Sequence, residues 1–312
     1  MVKVAILCPG QGAQTVGMGR DLAQGFPAAQ AVFDEADDAL GFQLSALMWH
    51  GPKHELTLTK NAQPAILVHS LAAFAVVREA LDPVVGAGHS LGEYSAYAAA
   101  GALSLRDAVR LVRRRGELMF DAGQQRPGSM AAVIGLNVEQ VVAACRESSQ
   151  NGSVVVAANI NAPGQTVISG DPAGVDAAGG RLKELGAKRV LPLNVSGAFH
   201  SPLMEPAEQG LIVELDRTTF RQPSFPIVAN ASADVVRDAE TAKAQLGAQL
   251  TAPVRWVASM ERAVEVSGLD VPYVEIGPGA VLGGLLRRIV KDAVSLPLGT
   301  VEQITAFMEQ HA

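Results

Sequence analysis

A serine flanked by glycines is the residue of this sequence best suited to covalent chemistry. Ser90 lies in the segment Gly88-His89-Ser90-Leu91-Gly92, between an apolar run (83–89) that predicts a buried strand and an Ala-rich stretch (91–101) that predicts a helix. A serine between a strand and a helix is typical of a nucleophile elbow, the sharp turn that exposes a nucleophile, and the flanking glycines let strand and helix pack closely. The helix N-terminus directs free N–H groups at the place where a tetrahedral oxyanion forms. The alternative is a Gly-rich turn whose serine only caps the helix.

A nucleophilic serine needs a base that takes its proton, and His200 is the candidate. It follows the last predicted strand of the central part of the chain, between Ala198-Phe199 and Ser201-Pro202. A lone histidine in such a place is otherwise a structural residue. His89 is next to Ser90, but neighbouring side chains of a strand point to opposite faces, so a structural role is expected for His89.

An arginine on the apolar face of a predicted helix is the third candidate. The helix over 105–121 has one apolar face formed by Ala108, Leu111, Val112, Leu118 and Met119. Arg115 falls on that face, and none of the nearby residues on it is acidic. Because a buried guanidinium without a partner is costly, we infer that a substrate carboxylate pairs with it. The alternative is an arginine that snorkels at the edge of the face.

The elements that must position these side chains alternate between strand and helix. A strand is predicted at 3–8, before the turn Pro9-Gly10-Gln11-Gly12, and helices are predicted at 27–40 and 64–80, each with a proline near its first turn. Together with the strand and helix around Ser90, this alternation favours a parallel sheet. Further strands are predicted at 227–229, 273–276 and 294–297.

The rhythm changes between residues 128 and 196, where the predicted order is strand, helix, strand, strand, helix, strand. This βαββαβ order is the ferredoxin-like arrangement, which can form an inserted unit. We therefore predict an α/β fold: a hydrolase-like parallel-sheet core over 1–125 and 197–312, with a ferredoxin-like small domain inserted at 126–196.

Composition excludes several classes of function. The 312 residues are 48% hydrophobic with a formal net charge of -6, which gives no general attraction to nucleic acid or to anionic membrane. The two cysteines, Cys8 and Cys145, and the six histidines show no metal-ligand spacing, so no metal site is expected. The first apolar run is too short for a signal peptide, and no stretch is long enough to span a membrane. A cytoplasmic protein is expected.

Four segments in order make the sequence similar to a known family. They are Pro9-Gly10-Gln11-Gly12, the elbow extended through Glu93-Tyr94, Gly197-Ala198-Phe199-His200-Ser201, and Glu275-Ile276-Gly277-Pro278-Gly279. Together they resemble the malonyl-CoA:acyl carrier protein transacylases, an acyltransferase family of fatty acid and polyketide synthesis, over nearly the whole chain. The resemblance implies a malonyl group that moves from malonyl-CoA to acyl carrier protein through an ester on Ser90. It also implies His200 as the base and no cofactor, since coenzyme A enters as a substrate thioester.

Further roles are implied by the resemblance alone. The main-chain carbonyl of Gln249 is expected to orient His200, although by itself Gln249 is typical of a surface residue at a helix end. The oxyanion hole is expected at the N–H groups of Leu91 and Gln11. Arg115 is expected to bind the free carboxylate of malonate.

The substrate pocket is expected to include Met119, Phe199 and Asn159. In related acyltransferases, an aliphatic residue after the serine and a phenylalanine before the histidine accompany selection of malonyl rather than methylmalonyl. Leu91 and Phe199 fit this pattern. Asn159 and Asn161 resemble family positions near the pocket, but without the resemblance they are typical turn residues.

Carrier docking is expected at a basic cluster, because the family's carrier is a small acidic protein. Arg287, Arg288 and Lys291 form the densest candidate, apart from Arg113 and Arg114. The alternative is a solvated helix end at which cations complement the helix dipole.

Competing functions come from three classes. A discrete polyketide-type acyltransferase uses the same residues. A serine esterase or thioesterase shares the elbow, but the sequence has no HGGG-type motif and no evident triad carboxylate between Ser90 and His200. A non-catalytic scaffold explains neither Ser90 nor Arg115. A monomer is expected.

Overall fold

The structure is a computed structural model that describes residues 1–150, 152–195 and 197–311. Ser196 and Ala312, at which the expected domain ranges end, lie outside the described residues. Within this part of the chain the strands are Val2–Cys8 (β1), Leu81–Gly88 (β2), Ser129–Ile134 (β3), Val155–Ala162 (β4), Gln165–Gly170 (β5), Arg189–Pro192 (β6), Ile227–Val228 (β7), Val235–Val236 (β8), Tyr273–Ile276 (β9) and Ser295–Leu298 (β10).

Helices cover both sheets. They are Arg20–Gly25 (α1), Pro27–Leu40 (α2), Leu44–His50 (α3), Lys53–Thr57 (α4), Thr59–Val77 (α5), Gly92–Ala99 (α6), Leu105–Gln125 (α7), Val138–Ser148 (α8), Pro172–Glu184 (α9), Glu205–Arg217 (α10), Ala239–Ala248 (α11), Trp256–Ser267 (α12), Val281–Ile289 (α13) and Val301–Gln310 (α14). Short 3₁₀ turns lie at Arg78–Ala80 and Pro202–Met204.

The larger sheet has the strand order β10-β9-β1-β2-β7-β8. Its pairs are parallel from β10 to β7, and β8 pairs antiparallel with β7. Val4 and Ile6 of β1 belong to the core on one face, while Ala5 and Leu7 belong to the core on the other. Burial of both faces is typical of a parallel sheet, so the predicted α/β core is confirmed, with an antiparallel edge strand that the sequence pattern did not indicate.

The smaller sheet has the order β4-β5-β3-β6, with antiparallel neighbours throughout. Helices α8 and α9 cover it and enclose a separate apolar core. The ferredoxin-like arrangement is therefore confirmed, whereas the boundaries 126 and 196 stay a prediction. The smaller sheet is joined to the rest of the fold where Asn159 of β4 forms an isolated parallel bridge with Val254, in the segment that follows α11.

Helix α5 begins five residues earlier than predicted, so Pro64 lies inside it rather than in its first turn. Pro64 has no N–H for the carbonyl of Lys60, four residues back. Arg113 of α7 donates to that carbonyl instead, at 3.0 Å, so a contact between helices replaces the missing bond. The last strand of the smaller sheet, β6, has only four residues and ends at Pro192.

Candidate active site

The elbow is formed where β2 runs into α6. Ser90 has φ 51°, a left-handed value that is strained for a residue with a side chain. A Cβ on Gly88 would lie 2.0 Å from the carbonyl of Gly92, and one on Gly92 would lie 2.0 Å from the carbonyl oxygen of Cys8. Only glycines allow this approach, which holds Ser90 at the tip of the turn.

His200 lies against the serine. The Ser90 hydroxyl is 2.8 Å from His200 Nε2, and His200 Nδ1 is 3.0 Å from the carbonyl of Gln249 and 3.2 Å from that of Ala252. Because carbonyls only accept, the proton of the neutral ring lies on Nδ1 and Nε2 is free to accept from Ser90. This is the geometry that the family resemblance implied for Gln249, whose side chain is buried rather than exposed at a helix end.

The charge state of His200 suits a base. Burial, followed by the positive charge of Arg115, lowers the pKa of His200 from 6.5 to about 3. The ring is therefore neutral at neutral pH and able to take the serine proton.

Arg115 is fully buried on α7, in contact with α5. The helices approach closely at Gly116, where a Cβ would lie 2.8 Å from Lys60 Cα. The guanidinium donates to Gln63 Oε1 at 2.6 Å, to Gln249 Oε1 at 2.8 Å and to Ser90 Oγ at 3.1 Å.

No carboxylate of the described residues forms an ion pair with this arginine. Its guanidinium carbon lies 5.3 Å from the centre of the Tyr94 ring, and burial lowers the pKa of Arg115. A buried positive charge held only by neutral groups, beside a serine hydroxyl, is suited to bind an anionic end of a substrate.

Backbone N–H groups are available for an oxyanion. In the part of the chain that the structure describes, no acceptor takes the N–H of Leu91 or of Gln11. Both residues line the cavity at Ser90, and the side chain of Gln11 is held by Thr59 at 3.2 Å. The two N–H groups are thus candidates for the oxyanion hole.

A cavity of about 270 Å³ connects these groups. The predicted site residues on its wall are Gln11, Ser90, Leu91, Arg115, Met119, Asn159, Phe199 and His200. Gln249 lies behind the wall, and Asn161 instead bonds His89 Nε2 at 2.8 Å. The positions of two of these residues depend on the small domain: Asn159 lies in its strand β4, and His200 follows it in the chain.

The basic residues proposed for carrier docking lie outside this cavity. Arg288 donates to the carbonyl of Pro163 at 2.9 Å and to Gln165, and so joins α13 to the β4–β5 turn. Arg287 and Lys291 are exposed. Arg113 and Arg114 form ion pairs with Glu117, at 2.7 Å and 3.5 Å.

Sequence reasoning missed three polar residues of the site. Gln63 holds Arg115, and Asn230 and Glu93 lie beneath the elbow, each almost completely buried. Gln63 could have been found as a polar residue in the long apolar run of α5. Glu93 is within the elbow motif itself. Asn230 gives no local signal, since it follows a two-residue strand.

The described residues also bear on metal binding, membrane spanning and thiol chemistry. They contain no group of three or more His, Cys, Asp or Glu side chains placed to hold a metal ion. None of their helices combines the length and the apolar character needed to span a membrane. Burial raises the pKa of both the Cys8 and Cys145 thiols, the latter to about 12.

The chain is similar to known proteins over nearly its whole length. The acyl transferase domain family matches residues 6–305. A Bacillus subtilis protein named malonyl CoA-acyl carrier protein transacylase is 44% identical over 305 residues, which cover 97% of this chain and 96% of the relative. The crystal structure of a Vibrio cholerae acyl carrier protein S-malonyltransferase, 41% identical, has a TM-score of 0.93 over 97% of this chain and 99% of that chain. A malonyl-transacylase in complex with a holo type II PKS acyl-carrier protein has the same identity and TM-score over 99% of this chain and 100% of that chain.

Proposed function

Because the chain belongs to the acyl transferase domain family, we propose that it transfers malonyl from malonyl-CoA to the pantetheine thiol of acyl carrier protein, in support of fatty acid synthesis. The enzyme is an acyltransferase, and its partners are malonyl-CoA and the carrier. The roles of individual residues below are part of the proposal.

Acylation begins when His200 Nε2 takes the proton of Ser90 as its oxygen attacks the thioester carbon. The N–H groups of Leu91 and Gln11 stabilise the oxyanion of the tetrahedral intermediate. Its collapse breaks the carbon–sulfur bond, and the proton on His200 passes to the departing coenzyme A thiolate. The product is a malonyl ester on Ser90.

Transfer repeats these steps in reverse with a different thiol. His200 takes the proton of the carrier's pantetheine thiol, the sulfur attacks the ester, and Ser90 leaves with the proton. The two half-reactions share one site, so ping-pong kinetics are expected. Each step uses only these side chains and the two thiols, and coenzyme A is a substrate rather than a resident cofactor.

One observation supports the malonyl group above others. The Arg115 guanidinium lies 3.1 Å from the nucleophile and has only neutral hydrogen-bond acceptors. An acyl group on Ser90 with a free carboxylate can pair with this charge, whereas an acetyl group cannot. The pairing also orients the ester for attack.

The test is incubation with malonyl-CoA followed by intact-protein mass measurement. We expect an added malonyl group on the wild-type chain, its loss on addition of holo carrier, and no adduct on Ser90→Ala. Release of coenzyme A without carrier and without adduct would instead support an esterase or thioesterase. No reaction at all would support a scaffold.

A polyketide carrier is the second candidate acceptor. The solved complex with a type II PKS carrier is as similar to this chain as the Vibrio cholerae enzyme, with a TM-score of 0.93 in each case. Comparison of kcat/KM for a fatty acid carrier and a polyketide carrier separates the two roles. The cytoplasmic location and the monomeric state expected from the sequence stay predictions.

A further inference from the structure

Glu93 is a buried carboxylate beneath the site that the mechanism above does not use. It lies in the first turn of α6, three residues after the nucleophile, with 0% exposure. Its Oε2 accepts from the Asn230 main-chain N–H at 3.0 Å and from Gln249 Nε2 at 2.7 Å. Its Oε1 has no hydrogen-bond partner in the described residues. Burial of a carboxylate is costly, so its retention here requires a reason.

Asn230 connects Glu93 to the elbow. Asn230 Oδ1 accepts from the Ser90 N–H at 2.6 Å, and its Nδ2 donates to the Gly88 carbonyl at 2.7 Å. These bonds hold both sides of the turn in which Ser90 has its strained φ of 51°. Such a conformation persists only when surrounding contacts fix it. Glu93 fixes Asn230 by accepting its main-chain N–H.

Gln249 connects Glu93 to the other reacting groups. Its Nε2 donates to the Ser90 carbonyl at 3.0 Å, its Oε1 accepts from Arg115 at 2.8 Å, and its main-chain carbonyl accepts from His200 at 3.0 Å. An amide can be rotated so that nitrogen and oxygen exchange places. Because the Glu93 carboxylate accepts, it selects the rotamer with nitrogen toward itself and oxygen toward Arg115.

The charge of Glu93 agrees with this arrangement. Burial raises its pKa to about 7, while the bonds from Gln249 and Asn230 and the charge of Arg115 oppose that rise. Gln249 lies between the Glu93 carboxyl group and the Arg115 guanidinium and is bonded to both. Glu93 thus reaches Arg115 only through the Gln249 amide, and the guanidinium stays free for a substrate carboxylate.

We propose that Glu93 is a positioning residue: by holding Asn230 and the side-chain rotamer of Gln249, it aligns the nucleophile, the base and the arginine from one buried anchor. The proposal rests on the proposed function. It assigns Glu93 no contact with substrate.

The test compares three substitutions by single-turnover acylation with malonyl-CoA and with acetyl-CoA, corrected for the folded fraction. Glu93→Gln keeps an acceptor for both bonds and places its NH2 where Oε1 has no partner, so most activity should remain. Glu93→Asp keeps a carboxylate but withdraws it by one methylene, and Glu93→Ala removes both bonds. Misplacement of about 1 Å can cost about 100-fold, so the rates should rank Gln above Asp and Ala, with a loss near that size for Ala.

Two further readouts separate positioning from simple stability. In Glu93→Ala the Gln249 Nε2 loses the carboxylate acceptor that fixes it, so Gln249 Oε1 holds Arg115 less firmly and KM should rise more for malonyl-CoA than for acetyl-CoA. Glu275 provides the matched control, because it is also a buried glutamate, and accepts from the N–H groups of Leu282 and Gly283 at 3.0 Å and 2.8 Å. Glu275→Ala should lower the melting temperature and leave the acylation rate of folded enzyme unchanged.

The proposal is wrong if folded Glu93→Ala acylates as fast as wild type, or if Glu93→Gln is as slow as Glu93→Asp. If Glu93→Ala fails to fold, the comparison of the acylation rates of Glu93→Gln and Glu93→Asp is sufficient to test the proposal. A wild-type chain that forms no malonyl adduct would refute the proposed function instead, so the two failures are distinguishable.

Discussion

At the residue scale, neither Arg115 nor His200 is paired with a carboxylate of the residues that the structure describes. Arg115 is buried with neutral partners, and His200 is a neutral base whose Nδ1 bonds two carbonyls rather than a carboxylate. Burial lowers the pKa of His200 more than the hydrogen bonds to the Gln249 and Ala252 carbonyls raise it, and those carbonyls also fix the tautomer of the ring. The serine hydroxyl lies between the base and the arginine, within 3.1 Å of each.

Arg115→Ala should change specificity and not only rate. Removal of one partner of a buried charge pair typically costs about 3–5 kcal/mol. This cost falls on malonyl-CoA, whose carboxylate loses its partner, and not on acetyl-CoA, which has no free carboxylate. The ratio of kcat/KM for malonyl-CoA to that for acetyl-CoA should therefore fall strongly. Arg114→Ala, on the exposed side of the same helix, should leave the ratio unchanged. Equal losses for both thioesters would contradict the assignment.

The same substitution should alter the titration of His200. Since burial and then the Arg115 charge lower its pKa to about 3, the ring should stay neutral down to about pH 5 in the wild type. Loss of the arginine removes a positive charge, which favours the imidazolium, so the pKa of His200 should rise in Arg115→Ala. Histidine-selective NMR over a pH series measures the pKa of His200 in the wild type and in Arg115→Ala. An unchanged titration would show that the two charges do not interact.

At the element scale, close backbone approaches set the positions of the side chains. Strand β2 and helix α6 touch at Gly88 and Gly92, and helices α5 and α7 touch at Gly116. The first contact fixes the elbow, and the second brings Arg115 to Gln63 at 2.6 Å. Helix α5 tolerates Pro64 because α7 supplies the missing donor through Arg113.

Gly88→Ala should therefore damage the fold and the elbow together. Its Cβ would lie 2.0 Å from backbone atoms of Gly92, which cannot rotate away, so we expect at least the roughly 1–3 kcal/mol typical of overpacking. Gly284→Ala is the control, because nothing lies within 4 Å of its Cβ on α13. That change should be neutral or stabilise by up to about 1 kcal/mol. Denaturant unfolding of both variants provides the measurement, and equal stabilities would contradict the steric argument.

At the scale of the whole molecule, the active-site cavity is lined both by the elbow after β2 and by β4 of the smaller sheet. The small domain supplies Asn159, and β4 pairs with the Val254 segment just after Gln249. Arg288 of α13 bonds the β4–β5 turn, so its cation already has a structural partner. Arg287 and Lys291 are exposed beside it and form the better test of carrier docking.

Reversal of Arg287 and Lys291 to glutamate should raise KM for the carrier roughly tenfold at low salt, as expected when electrostatic attraction is removed. The difference should shrink at high salt, and acylation by malonyl-CoA should be unaffected. Charge reversal at Arg146 and Lys183, exposed on α8 and α9, is the matched control. Carrier kinetics that do not change at any salt concentration would reject this docking surface.

The sequence alone determined the local features of this protein. The glycines around Ser90 and the strand and helix beside it predicted the elbow, and the period of α7 placed Arg115 among apolar residues. The βαββαβ order predicted the small domain. These three predictions succeed because steric limits and hydrophobic periodicity act over a few residues. Over that distance the order of residue types itself causes the local structure.

The tertiary structure decided which distant polar groups meet. Gln249 is 134 positions from Arg115 and 159 from Ser90, and Asn230 is 140 from Ser90, yet each is bonded to its partner. Neither glutamine nor asparagine carries a local signal of such a contact, because both are equally suited to a solvated turn. Their partners are set by the docking of α5, α6 and α7 and by the path of the segments after β7 and α11. Burial then makes these bonds obligatory, since polar groups there have no water to replace them.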